Sequence, residues 1–277
     1  MLEFNNKCSN EEKKKRTEQL DKKAYERFLN GESITKIAKS YGMNRCKLSK
    51  RLQEKYNISP CLDGGKISIN SDYFNTLNNE NCYWLGLILA DGNISKDMKS
   101  FELTLKDKEH IQKFMECIQS KHKLSIRHVN GQEYYRVSFN DRNIISKLLS
   151  LGILPNKSNI DFDMPNIPDI FFNDFLRGLI DGDGGYYVYN YKNIERLFTM
   201  INIGLHSPKF ANQILNKINN FYNVNGKLYK GKTCYNIRFA KRDSIKLINI
   251  LFEHSSLYLQ RKYSKIEKYI IKGGDAK

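Results

Sequence analysis

The stretch WLGLILADG at residues 84–92 returns, nearly copied, as LRGLIDGDG at 176–184. Gly86 and Gly178 hold the same place in the two copies, and so do Asp91 and Asp183, with one offset for both pairs. An internal repeat of this kind predicts two units of the same design. Each copy reads as an apolar helix closed by an acid and a glycine. Gly86 and Ala90 are four apart on one helical face, as are Gly178 and Gly182, leaving a smooth stripe on which two backbones approach closely. The two motif helices are therefore expected to pack on each other through Gly86, Ala90, Gly178 and Gly182.

The acids sit at the unfavourable end of these helices. A helix C-terminus carries partial negative charge, so a carboxylate there is destabilising. The following glycines, Gly92 and Gly184, are expected in the left-handed conformation that ends many helices. Pairing the helices brings Asp91 and Asp183 together, and two carboxylates about 5 Å apart at an effective dielectric near 20 repel by about 3 kcal/mol. Divalent cations offset such repulsion, and an all-oxygen donor set suits magnesium. A paired-metal site polarises a phosphate, lowers the pKa of a bound water and stabilises a leaving oxygen.

Charge points to the partner. Among 277 residues, 46 Lys+Arg against 30 Asp+Glu give a net charge of +16, which suits a polyanion through phosphate neutralisation. The longest apolar run, YWLGLILA, is too short to span a bilayer, and no apolar signal core follows the first charges. The expectation is a soluble intracellular protein with no membrane partner, in the cytoplasm, the nucleoid or an organelle. Six cysteines show no CxxC pair and the five histidines are scattered, so neither a zinc site nor a disulfide framework is expected. The lysine-dense NEEKKKR at 10–16 is expected to be loose.

Residues 24–56 read as three short helices. Ser33 caps the second, Ile34, Ile37, Ala38 and Tyr41 line one face, and Gly42 with Met43 makes a turn. Asn44 caps the third, whose apolar side is Leu48 and Leu52. The arrangement resembles a helix-turn-helix of the recombinase type, which would present Arg45, Lys47, Ser49 and Lys50 to a DNA groove. Position 51 departs from it, with Arg where that motif buries an apolar residue. SPCLDGGK at 59–66 reads as linker. The boundaries expected are 1–58 for this all-α domain, 59–79 for the linker, and 80–165 and 166–277 for the two repeats.

In the first repeat the motif leads to a strand FELTLK, a helix from about Asp107 to Ser120, strands KLSIRHV and EYYRVSF, and a helix RNIISKLLSLG. The second repeats that order with GYYVYN, FTMINIG, the helix SPKFANQILNKINNFY, GKLYKG, CYNIRF and the helix DSIKLINILFEH. The fold class is α+β, a tandem αββαββα pair with antiparallel sheets.

With both motifs and this element order in view, residues 80–270 resemble the LAGLIDADG homing endonucleases, in the single-chain form that carries two motifs. Leu89 stands where the family name has its first Asp, and Gly182 where it has Ala. The resemblance implies a pseudo-dimer whose motif helices form the interface and whose curved sheets saddle the DNA major groove. It also implies metals held by Asp91 and Asp183, with Ala90 and Gly182 beside them in the metal set. Magnesium is the expected cation, with manganese substituting and calcium binding without supporting cleavage. Lys157 and Lys262, which follow the last helix of each repeat, are the basic residues it implies near the scissile phosphates.

The wet faces of the strands supply the candidate DNA-reading residues. If Tyr135, Val137 and Phe139 pack inward, Arg136, Ser138 and Asn140 face out, as do Asn236 and Arg238 opposite Tyr235, Ile237 and Phe239. Thr104, Arg127, Asn202, Lys227 and Tyr229 complete the set. The expected function is site-specific double-strand DNA cleavage by a monomer on a long asymmetric target. A transcription regulator of the same fold without nuclease activity and an RNA maturase that binds intron RNA are the alternatives.

Overall fold

The computed structural model describes residues 10–30, 32–56, 68–204 and 206–271, and the chain divides into two compact units, residues 1–67 and 68–277. Cys8, Cys61, the SPCLDGGK segment and the final GGDAK lie outside the described residues. Cys46, Cys82, Cys117 and Cys234 are free thiols. Among the described residues no helix is long and apolar enough to cross a membrane.

The first unit is three helices, α1 (Asn10–Leu29), α2 (Ile34–Ser40) and α3 (Arg45–Tyr56). Its core is Ala24, Phe28, Ile34, Ile37, Ala38, Leu48 and Leu52. Ser33 caps α2 by accepting from the Lys36 amide, and Asn44 Oδ1 accepts from the amides of Cys46 and Lys47 at the start of α3. Gly42 adopts φ +63°, which explains glycine at that turn. One expectation is corrected, and the departure at position 51 finds its reason. NEEKKKR is not loose but lies in the first turns of α1, a segment rich in good helix formers that runs straight into the packed part of the helix. Arg51 does not fill an apolar site. Its guanidinium lies 2.6 Å from buried Asp21 and reaches the Thr17 carbonyl, tying α3 to α1 through charge.

The second unit is α+β and holds two copies of one design. The first runs α4 (Asn79–Asp91), β1 (Gly92–Ile94), β2 (Phe101–Leu105), α5 (Lys108–Cys117), β3 (Ser125–Val129), β4 (Gln132–Phe139) and α6 (Arg142–Ser150). The second runs α7 (Phe172–Asp183), β5 (Gly184–Tyr191), β6 (Ile194–Gly204), α8 (Pro208–Tyr222), β7 (Lys227–Lys230), β8 (Cys234–Phe239) and α9 (Lys241–Phe252), followed by a short α10 (Gln260–Tyr263). Strand β1 is required by the αββαββα order but has no sequence pattern of its own, since three residues are too few to show alternation. The sheets are antiparallel, ordered β1-β2-β4-β3 and β5-β6-β8-β7, so the two match strand for strand. Residues 68–78, within the stretch read as linker, pack against the body: Phe74 is buried, and Asn81 donates to the carbonyls of Tyr73 and Thr76.

Helix α4 is buried from Asn81 to Leu89 and α7 from Asp174 to Asp181, because each touches its partner on one side and a sheet on another. A Cβ built on Gly86 would stand 2.0 Å from the Phe175 carbonyl oxygen, and one on Gly178 would stand 2.0 Å from that of Tyr83. The two contacts are reciprocal, as a pseudo-twofold axis between the helices requires. One turn further on, a Cβ on Gly182 would meet that of Ala90 at 2.2 Å, so this pair accommodates one methyl and no more.

Gly92 and Gly184 are not left-handed. Their φ values are −76° and −128°, because the chain passes straight from each motif helix into a strand. Glycine is required there by proximity: an added Cβ would lie 2.7 Å from the Ile88 carbonyl oxygen at position 92, and 2.6 Å from that of Met200 at position 184.

Candidate functional site

Because each motif helix ends where a first strand begins, Asp91 and Asp183 fall at the junction of the two helices with the two sheets. Both side chains open to solvent although protein surrounds them closely. A Cβ on Gly182 would lie 3.2 Å from Asp91 Oδ2, so the first acid rests against the last turn of the opposite helix. Crowding by protein, and then the charge of Asp183, push the Asp91 pKa up to about 6, while Lys262 and Lys157 oppose the shift. Asp183 is raised by the same crowding and drawn back mainly by Lys157.

The two lysines are equivalent in place. Lys157 donates to the Gly92 carbonyl and Lys262 to the Gly184 carbonyl at 2.7 Å, so each reaches the glycine after its own repeat's acid. They differ in what else they hold. Lys262 is buried at the end of α7 and also donates to the carbonyls of Ile180 and Asp181, with Gly182 at 3.4 Å. An ammonium has three protons, so this cap uses all of them. Burial lowers the Lys262 pKa to about 8, against the pull of Asp181. Burial also lowers that of Lys157, whose other contacts are electrostatic, with Asp183 and Asp91. Lys157, Asp183, Ala90 and Asn202 line one cavity of about 60 Å³, enough for a few waters.

A buried network beneath the site was not anticipated. Asp181, in the place that Leu89 holds in the first copy, accepts from Tyr83 Oη and from the Leu259 amide, both at 2.8 Å. Tyr83 Oη also contacts His110 Nε2 at 2.7 Å. Leu259 immediately precedes α10, so Asp181 fixes the helix that carries Lys262. Nearby, buried Arg177 donates to the carbonyls of Leu251 and Leu257 and to Asp174, which in turn accepts from Asn79. The mismatch of Leu89 and Asp181 was the available signal: a position that is core in one copy is core in the other.

The candidate DNA-reading residues fall on the sheet faces turned away from the helices. On the first sheet Thr104 pairs with Arg136 across strands, and Ser138 with Glu102. Arg136 donates to Glu102 at 2.6 Å and Arg127 stands 3.8 Å from the same carboxylate, so both cations are engaged by an acid on this face. Asn140 lies one residue past β4 and is exposed. On the second sheet Asn202 pairs with Asn236, which pairs in turn with Tyr229, and Lys227 pairs with Arg238. In the first unit Arg45, Lys47 and Lys50 are exposed on α3 and Ser49 is partly so.

Paired motif helices, two matched sheets and an acid at each helix end define a two-motif protein of the LAGLIDADG fold. The chain belongs to the family described as WhiA LAGLIDADG-like domain, whose profile matches residues 80–162 and 174–269. Among solved structures, the LAGLIDADG homing endonuclease I-GzeII in complex with DNA target is similar with a TM-score of 0.52 at 14% identity, over 70% of this chain and 89% of that one. The homing endonuclease I-WcaI bound to its DNA recognition sequence gives 0.50 at 18%, over 70% and 90%. Full-length DUF199/WhiA from Thermatoga maritima gives 0.44 at 14%, over 72% and 63%. At these identities the likeness to the two homing endonucleases is one of fold. No curated protein matches the sequence.

Proposed function

We propose that this protein is a site-specific, metal-dependent double-strand DNA endonuclease acting as a monomer on an asymmetric target. The observation that carries the reading is the pair of solvent-open aspartates, Asp91 and Asp183, on abutting helix ends, with one raising the pKa of the other. A protein that only binds DNA gains nothing from opposing carboxylates that repel. Among the described residues no group of three His, Cys, Asp or Glu gathers as a metal cage. Two carboxylates and nearby main-chain oxygens instead fit magnesium, which takes few protein ligands and completes its shell with water and substrate phosphate. Asp91 and Asp183 would hold it, with the carbonyls of Ala90 and Gly182 beside them. When bound, the cation supplies an activated water and stabilises the leaving oxygen. Lys157, with donors to spare above a cavity that admits water, stabilises charge on the phosphate, while Lys262 holds the end of α7 in place. The outer sheet faces bind the duplex, and Arg45, Lys47, Ser49 and Lys50 on α3 add contacts that lengthen the site.

A second reading, DNA binding without cleavage, is favoured by the family profile and by the saturated ammonium of Lys262. Incubation with supercoiled plasmid carrying the gene's own flanking junction, with magnesium, manganese or calcium, separates the two. The endonuclease reading expects linear product with magnesium and manganese and only a bound complex with calcium. A bound complex and intact plasmid in every metal would establish the second reading.

A further inference from the structure

The outer face of the second sheet carries a row of side chains that the repeat and the motif do not account for. Tyr187 and Phe198, cross-strand partners on β5 and β6, stack at 4.8 Å with their planes 8° apart. Tyr189 meets Phe198 edge to face at 6.1 Å. The Arg238 guanidinium on β8 lies 5.9 Å from the Phe198 ring centre and 5.3 Å from that of Tyr229 on β7. The row thus crosses all four strands. Tyr187, Tyr189 and Tyr229 are open to solvent, 38%, 50% and 47% exposed, and Phe198 is half-buried. The first sheet has Glu102 between Arg127 and Arg136 on its corresponding face.

Charge identifies what covers this face. Residues 184–204 and 227–239 hold six Lys+Arg and one acid, Glu195, and that carboxylate is taken by Lys268 and Tyr269. Arg238 pairs with no carboxylate among the described residues. A polyanion fits, and the ring geometry says which part of it is read. Rings with free faces stack on unpaired bases. Tyr187 and Phe198 instead occupy each other's faces and Arg238 lies over Phe198, so what they offer outward is apolar edge. In the major groove of a duplex the apolar group available to such an edge is the 5-methyl of thymine.

We propose that the second sheet recognises thymine 5-methyl groups in one half of the DNA target through Tyr187 and Phe198. The assignment rests on the DNA-binding part of the reading above and not on cleavage. A purely structural role, in which the aromatic pair only steadies the edge strand β5, would leave binding blind to the methyl group.

The test is duplex selection by the full-length chain from a randomised pool in calcium, then replacement of thymine by deoxyuridine, one position at a time, in the recovered site. Deoxyuridine keeps base pairing and removes only the methyl. Thymines should be enriched in one half, and each contacted methyl removed there should weaken binding about fourfold. Tyr187→Ser combined with Phe198→Ser should lose the same affinity on the thymine duplex and become indifferent to deoxyuridine, with an unchanged circular dichroism spectrum. Tyr187→Phe should keep the preference. Equal affinity of the wild-type protein for thymine and deoxyuridine duplexes would overturn the proposal. Failure to recover any duplex above non-specific background would overturn it together with the DNA-binding reading.

Discussion

The two repeats of the second unit agree where backbone meets backbone and differ where side chains meet solvent or each other. At the helix crossing the contacts are reciprocal, Gly86 on Phe175 and Gly178 on Tyr83. Two positions before each motif aspartate, Leu89 in the first copy corresponds to Asp181 in the second, and with Asp181 come Tyr83, the Leu259 amide and a fully engaged Lys262. On the sheets, residues 92–105 and 125–139 carry four Lys+Arg and three Asp+Glu, against six and one in the second repeat. Close packing leaves no freedom at the crossing, so both copies keep glycine there. The lysine supports and the outer faces are not so constrained, and there the halves carry different chemistry, which suits the asymmetric target proposed above.

The symmetric part of this contrast should give the largest effects. Gly86→Ala and Gly178→Ala each push a methyl into a main-chain oxygen that cannot retreat without parting the helices. Each should cost at least about 3 kcal/mol in urea unfolding. Tolerance of one substitution and not the other would show that the crossing is less symmetric than the contacts imply.

Next comes acid sensitivity. Burial holds His110 neutral, with its pKa lowered to about 4, assisted by Lys113. In the unfolded chain the imidazole takes a proton near pH 6.5. The folded form does not, so the stability that His110 contributes is present above about pH 6.5 and is lost as pH falls toward 4, up to about 3 kcal/mol. Because His110 touches Tyr83 Oη, which touches Asp181, this loss should also loosen α10 in the second half. Thermal midpoints across that range, with His110→Gln as the control whose slope is shallower, measure it. An identical slope in the variant would remove His110 from the account.

The smaller effect separates the lysines. Lys262→Met uncovers the carbonyls at the end of α7 and should lower stability by about 2 kcal/mol. Lys157→Met frees one carbonyl and should cost under about 1 kcal/mol while slowing cleavage. Equal destabilisation by the two would mean that the extra contacts of Lys262 carry no weight.

Much of this was legible before any coordinates. The repeat gave the pairing of the helices, because glycine and alanine four apart have one common use on an apolar helix. Alternation in FELTL and CYNIRF gave the inward faces, and Ser33 and Asn44 gave the caps. What stayed hidden depended on partners distant in sequence. Nothing near Arg51 announces Asp21, and nothing near Asp181 announces the Leu259 amide. The glycines after the acids were misread because a helix that feeds directly into a strand needs glycine for closeness, and sequence does not distinguish that from a left-handed turn. The stripe of Tyr187, Tyr189 and Tyr191 in GYYVYNY was readable as one face, but its stacking on Phe198 belongs to the register between strands.

The central claim is that the two motif aspartates form one cation site that cuts DNA. It is tested most directly by following each labelled strand of a bound duplex, in magnesium, with the wild-type protein, Asp91→Asn and Asp183→Asn. The account predicts that the wild type cuts both strands, that each variant abolishes double-strand cleavage, and that both variants still bind the duplex in calcium. Binding by all three proteins with both strands left whole by the wild type, or unimpaired cutting by either variant, would contradict it.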